Sequence, residues 1–187
     1  MKKISIFTLA LCLSVGVFAQ TWSADKAHSK VQFTVTHLGL SEVDGVFKDF
    51  DAKVTSSKED FSDAVFEFSA AIKSLSTGSE MRDGHLQKAD MFDAEKFPTM
   101  TFKSTGIAKA GDKKYTLTGN LTMKGVTKAV TLNLVNTGST VDKSGKKVAG
   151  FKISGTISRK DFGVGGMPSM VVSEDVELRA SGEFKAQ

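Results

Sequence analysis

Apolar and polar residues alternate with a period of two along most of the chain. In the segment VQFTVTHL, one face carries Val31, Phe33, Val35 and His37, and the other carries the polar residues between them. This pattern is typical of a half-buried antiparallel strand. The same alternation recurs in VDGVFKDFDAKV, FEFSAAI, MTFKS, YTLTGNLTM, VTLNL, FKISGTISR and VELRASGEF. The pattern therefore predicts about eight strands.

The segments between these strands are short and polar, such as KAGDKK and VDKSGKK, and they favour hairpins between consecutive strands. Gly119, Gly155 and Gly182 fall inside strand patterns. Glycine weakens a flat sheet but permits the bends that barrel closure requires. The sequence predicts an all-β fold: an eight-stranded antiparallel barrel, closed or nearly closed.

One interval between two predicted strands, residues 74–98, departs from the alternation. Thr77 followed by Glu80 has the spacing of a capping box, which predicts a short helix to about Lys88. Asp90 is placed to cap a second short turn, and Pro98 ends it. We expect a short helical insertion in the barrel.

The N-terminus has the features of a secretory signal peptide. Lys2 and Lys3 precede an apolar stretch that is too short to cross a bilayer and ends in small residues. The predicted domains are a signal peptide at 1–19, cleaved before Gln20, and one barrel at 20–187. Cleavage would place the mature chain in the periplasm or outside the cell.

Cleavage would also remove Cys12, the single cysteine, and with it any disulfide or thiolate chemistry. Loss of Lys2 and Lys3 lowers the formal charge from +4 to +2, because two lysines and no acids are removed. The remaining lysines are scattered among acidic residues, which argues against a nucleic-acid partner.

The candidate chemical residues are few. The chain has three histidines, His28, His37 and His85, whose spacing matches no metal-ligand motif; a metal-dependent enzyme using all three stays an alternative. His37 shares the inward face of its strand, as a buried core histidine or as a contact to a ligand head group. On a helix Arg82 and His85 are neighbours while Asp83 points elsewhere, which disfavours a catalytic triad.

The chain is rich in phenylalanine and methionine, with 14 Phe and 7 Met, most of them in the predicted barrel. An eight-stranded barrel either fills its interior with such side chains or holds one ligand. Arg159 lies at the end of its strand pattern, where we expect it to extend into solvent. The predicted apolar wall of a ligand tunnel comprises Phe33, Val35, Phe66, Phe68, Phe102, Leu117, Leu121, Leu132 and Ile153. The candidate polar contacts are His37, Arg82 and His85.

Four segments together resemble the YceI-like family, in the family's order and over nearly the whole predicted mature chain. They are WSADKAHSKVQFTVTHLGLSEVDGVFKDF, SLSTGSEMRDGHLQKADMFDAEKFPTMTFKST, TGNLTMKGVTKAV and GTISRKDFGV. Two departures are Lys26 and Ala129, where family members often have proline.

The resemblance implies a lipocalin-like barrel, exported to the bacterial periplasm, that binds a polyisoprenoid, an isoprenoid quinone or a related long-chain amphiphile. It implies no catalysis and no cofactor other than such a bound lipid. An adaptor that presents a quinone to a membrane cytochrome is a further alternative. A transient membrane contact and a homodimer are compatible with such a lipid-binding barrel.

Overall fold

The computed structural model describes residues 19–187, so the predicted signal peptide lies, apart from Ala19, outside the described residues. These residues form eleven strands and one α-helix. The strands are β1 (Gln20–Ala24), β2 (Lys30–His37), β3 (Ser41–Phe47), β4 (Phe50–Ser56), β5 (Val65–Ala71), β6 (Leu75–Ser76), β7 (Thr99–Gly111), β8 (Lys114–Met123), β9 (Val126–Val141), β10 (Lys147–Ser158) and β11 (Asp175–Ala186). The helix is α1 (Glu80–Leu86), and short 3-10 helices span Lys26–His28, Ile72–Ser74 and Arg159–Phe162.

Eight of these strands close into an antiparallel barrel, in the order β1-β4-β5-β7-β8-β9-β10-β11, with β11 pairing back to β1. The predicted fold is confirmed. The remaining strands prolong three walls of the barrel: β2 continues β1 along β11, β3 continues β4 along β2, and the short β6 pairs with β3.

Strand boundaries differ from the prediction at three places in the barrel. The segment VDGVFKDFDAKV forms two strands, β3 and β4, because the chain breaks at Lys48 and Asp49. Strands β1 and β6 were not predicted, since five and two residues are too short to display the alternation. The two strands of such a pair still occupy one position in the barrel. For example, β1 and β2 both pair with β11.

An aromatic floor closes one end of the barrel. Phe61, in the loop between β4 and β5, lies edge-on to Trp22 at 5.4 Å and to Phe151 at 4.9 Å between ring centroids. The Phe151 ring also meets Phe66 at 5.3 Å and Phe184 at 5.5 Å. Because edge-to-face rings fill space at the density of a protein interior, this end is solid.

The predicted helical insertion is present, but its details differ. The N-cap of α1 is Ser79, and Thr77 donates from its backbone N and its Oγ1 to Asp83 Oδ1 at 2.8 and 2.6 Å. The predicted capping box is therefore wrong, and the helix ends at Leu86, before Lys88. The predicted second short turn is present: Lys96 N and Phe97 N donate to the Asp93 carbonyl at 3.1 and 2.8 Å, so the turn begins at Asp93 and not at Asp90. Within residues 19–187 no helix has the length and apolar character needed to cross a membrane.

Candidate functional site

A cavity of about 780 Å³ occupies the barrel between the aromatic floor and the opposite end. At that end the cavity is bordered by the β2–β3 hairpin, helix α1 and the loop 163–173, which together we call the mouth. The volume lies within the roughly 300–1,000 Å³ typical of small-molecule sites. The interior is thus hollow at the mouth end and filled at the floor.

Most of the predicted apolar wall lines this cavity. The lining includes Phe33, Val35, Phe66, Phe68, Phe102, Leu121, Leu132 and Ile153. The placement of Leu117 in the wall is wrong: its side chain is completely buried and does not reach the cavity. Leu117 lies two residues from Tyr115, whose hydroxyl donates to the carbonyl of Asp60 in the floor loop. Alternation assigned Leu117 to the inward face but could not assign its depth along the barrel.

The three predicted polar contacts lie among the residues that line the cavity. His37, at the end of β2, is exposed, so the expectation of a buried core histidine is wrong. Arg82 Nε donates to Thr77 Oγ1 at 2.7 Å and Arg82 Nη2 to the Thr77 carbonyl at 2.9 Å. His85 Nε2 is 3.5 Å from Asp90 Oδ2. These basic side chains bring hydrogen-bond donors to a cavity whose surface is mostly apolar; Lys30, Lys88 and Arg179 also line it.

Arg159 does not extend into solvent as predicted; it is buried and lines the cavity. Its five N–H groups donate to five backbone carbonyls, those of Ser173, Val164, Gly165, Met167 and Val172, at 2.6–3.1 Å. Because guanidinium has five donors, its hydrogen-bonding capacity is complete. Arg159 therefore fixes the loop 163–173. The inward parity of Arg159 along FKISGTISR indicates this buried position, whereas its place at the end of the strand pattern led to the prediction that it extends into solvent.

Exposed apolar side chains surround the mouth. They are Leu38, Leu40, Met81, Met167 and Met170, which we call the apolar rim. The hairpin and the loop 163–173 are joined by a hydrogen bond from Leu38 N to the Val171 carbonyl at 2.9 Å. Met81 and Met167 line the cavity as well. The apolar surface is therefore continuous from the interior to the outside.

The three histidines do not assemble into a metal site. Within residues 19–187, the one group of three or more ligand-type side chains is Asp25, His28 and Glu183, without His37 or His85. His28 Nδ1 lies 3.0 Å from Asp25 Oδ2, and Lys185 Nζ lies 2.8 Å from the same oxygen. Lys185 and His28 hold the pKa of Asp25 well below its usual range, and Asp25 raises the pKa of His28. This surface group is an ion-pair cluster, and the three-histidine enzyme site is not formed.

An up-and-down barrel with an apolar interior open at one end defines a lipocalin-like binding protein by its architecture. The YceI-like domain family matches residues 22–184, and the chain belongs to this family.

Among curated relatives, the protein YceI of Salmonella arizonae and that of Salmonella paratyphi B are each 40% identical to the chain over 167 residues, covering 87% of both chains. The crystal structure of Burkholderia cenocepacia BcnA is similar with a TM-score of 0.78 at 27% identity, covering 86% of this chain and 98% of BcnA. Campylobacter jejuni YceI gives 0.74 at 33% identity, covering 81% and 90%. A polyisoprenoid-binding domain from Saccharophagus degradans, implicated in plant cell wall breakdown, shares the fold with a TM-score of 0.64 at 14% identity, covering 89% and 98%.

Proposed function

We propose that this protein binds a polyisoprenoid, an isoprenoid quinone or a similar long-chain amphiphile in its cavity, and carries or sequesters it. The cavity itself supports the proposal most directly, because its wall is built from aliphatic and aromatic side chains and it opens at the mouth. Burial of each methylene of a ligand contributes about 0.8 kcal/mol before the costs of binding are subtracted. A long hydrocarbon chain can therefore be held without a charged contact. The proposed role is binding, with no catalysis.

The orientation of the ligand follows from where polar groups lie. The wall predicted from the sequence, without Leu117, surrounds the hydrocarbon chain, and His37, Arg82 and His85 meet the head group at the mouth. Basic donors suit an oxygen-rich head group, either carbonyl or anionic. The chain would then point towards the aromatic floor.

The test is solvent extraction and mass spectrometry of protein purified from its native host, followed by titration of the stripped protein with a polyprenol and with a ubiquinone. We expect a prenyl lipid in the extract and saturable uptake afterwards. A protein that emerges free of lipid and takes up neither compound would overturn the proposal. A quinone in the extract would favour the adaptor role, in which the protein presents a redox head group to a membrane cytochrome.

A pair of neighbouring positions on β10 provides a matched control. Ile153 lines the cavity, whereas Ser154 is exposed. Ile153→Gln places a polar amide against the hydrocarbon chain and is expected to weaken uptake about tenfold, because the amide loses water without a partner. Ser154→Gln is expected to bind like the wild type.

We further propose that the chain is exported, with the mature protein beginning at Gln20, and that the apolar rim contacts the membrane from which the ligand is loaded. Five large apolar side chains exposed around one opening support this contact. N-terminal sequencing of the protein from periplasmic and secreted fractions tests export. A start at Met1 in the cytoplasmic fraction would contradict it. The homodimer stays a prediction.

A further inference from the structure

Four glycines occupy inward positions of the barrel wall. They are Gly45 on β3, Gly119 on β8, Gly155 on β10 and Gly182 on β11. Three are flanked two residues away on both sides by residues that line the cavity, and Gly119 is flanked so by Leu121. Because side chains alternate along a strand, a side chain at any of these four positions would point into the interior.

A neighbouring side chain lies over each glycine, and for Gly45, Gly119 and Gly155 it comes from the adjacent strand. A Cβ on Gly45 would be 2.2 Å from Phe33 Cζ, and one on Gly155 would be 2.5 Å from Leu132 Cδ2. Both contacts are far inside van der Waals distance, and in both the atom met is the far end of a side chain. Phe33 and Leu132 thus lie flat along the wall. They occupy the space that a side chain at position 45 or 155 would fill if the residue there were not glycine.

The other two glycines repeat the arrangement. A Cβ on Gly119 would be 2.4 Å from Phe102 Cζ, and one on Gly182 would be 2.3 Å from Ser29 Oγ. The four covering residues, Phe33, Phe102, Leu132 and Ser29, all line the cavity. In these four pairs the covering side chain therefore borders the hollow part of the barrel.

We infer that these four glycines keep the barrel hollow and set the length of hydrocarbon chain that it accepts. An eight-stranded barrel is just wide enough to be filled by its own side chains or to hold one small ligand. Here the glycines let four lining side chains fold back against the wall. As a statement about ligand length, the inference rests on the function proposed above.

Alanine at these positions would reverse the effect. None of the four glycines has a φ in the left-handed region, so alanine adds no backbone strain there. The added methyl must displace the covering side chain, and because the sheet blocks the outer side, that side chain moves into the cavity. A Cβ on Gly119 would also lie 2.7 Å from the Lys103 carbonyl, which is backbone, so the test uses Gly45 and Gly155.

The experiment presents the stripped protein with a ladder of polyprenols of increasing length and records the bound chains by native mass spectrometry. Gly45→Ala and Gly155→Ala are expected to bind the longest chain retained by the wild type about tenfold more weakly, the usual scale of overpacking, and shorter chains with little change. Gly45→Ala combined with Phe33→Leu should recover the longer chain, because the displaced side chain is smaller.

The matched control is Gly150→Ala. A Cβ on Gly150 would meet Thr137 Oγ1 at 2.2 Å, an equally close contact, but neither residue lines the cavity. This variant should bind the same ladder as the wild type. If Gly45→Ala and Gly155→Ala bind the longest polyprenol as tightly as the wild type does, the inference is overturned. It is also overturned if Gly150→Ala weakens binding of that polyprenol as much as they do.

A second measurement does not depend on a lipid. Apolar cavities take up xenon, so crystals of the wild type under xenon pressure should show it in the barrel. Crystals of Gly45→Ala and Gly155→Ala should lose the xenon position nearest the displaced side chain. Unchanged xenon positions would contradict the inference. A wild type that binds xenon but no polyprenol would refute the proposed function, while the xenon positions in the variants would still decide the role of the glycines.

Discussion

Arg159 Nη2 donates to the carbonyl oxygen of Met167 at 2.6 Å, which joins a buried cation to a residue of the apolar rim. The other four guanidinium N–H groups donate to backbone carbonyls of the loop 163–173, those of Val164, Gly165, Val172 and Ser173. In the described chain no carboxylate lies within ion-pair distance of Arg159, so these carbonyl dipoles stabilise its charge. The shape of the loop 163–173 therefore depends on this side chain.

Replacing Arg159 should loosen the mouth. Arg159→Met leaves five backbone carbonyls without their donor and is expected to destabilise the fold by about 2–4 kcal/mol in urea unfolding. Arg159→Lys, with three donors, should give an intermediate loss. Hydrogen exchange should show faster exchange in residues 163–173. The exposed Arg179→Met serves as the control, and equal stability of Arg159→Lys and wild type would contradict the role assigned to Arg159.

The apolar rim should govern attachment to membranes. Leu40 and Met170 are 86% and 78% exposed, and burying such a side chain in a bilayer surface contributes about 1.5–3 kcal/mol. Leu40→Ser and Met170→Ser should each reduce co-flotation with phosphatidylethanolamine–phosphatidylglycerol vesicles about tenfold. Val141, 60% exposed in a strand outside the mouth, provides the control Val141→Ser. Equal flotation of all three variants would show that the rim is not the contact.

The loop that closes the floor should make stability depend on pH through Asp63. Burial alone would raise the pKa of Asp63, but donors from Ser56 and Ser57 and the backbone N–H of Lys58 lower it to about 2. Because the folded pKa lies below the unfolded value of about 3.9, the contribution is present above pH ~4 and is lost as the pH falls towards 2.

Asp63→Asn tests this contribution. The variant should be less stable than the wild type by about 1–2 kcal/mol at pH 7, and the difference should shrink at pH 2–3. Urea unfolding at several pH values measures it, with Glu59→Gln, an exposed change in the same loop, as the control. A difference that does not vary with pH would exclude the carboxylate as its source.

Removing the centre of the floor should open the other end of the barrel. Phe61 is 2% exposed and packs against Trp22 and Phe151. Phe61→Ala is expected to cost about 3–5 kcal/mol in thermal or urea unfolding, and to enlarge the cavity towards the loop. A crystal structure of the variant would reveal the enlargement. A loss below about 1 kcal/mol would mean that the floor relaxes into the space left by the ring.

The sequence by itself determined the all-β fold, the hairpin order and the inward face of nearly every strand. These follow from local rules: a strand alternates its side chains with a period of two, and short polar segments reverse the chain. The same rules placed Phe33, Phe102 and Leu132 on the inside, and the irregular interval 74–98 predicted a helix that the structure contains.

Only the tertiary structure decided how far along the barrel each inward residue lies and which ones meet. Leu117 is buried near the floor although its parity matches the cavity wall, and Arg159 is buried because one loop supplies five carbonyls. The hollow interior depends on pairs such as Gly45 and Phe33, which come from different strands. Alternation along one strand carries no information about what the neighbouring strand places opposite, and that pairing decides whether the barrel is filled or open.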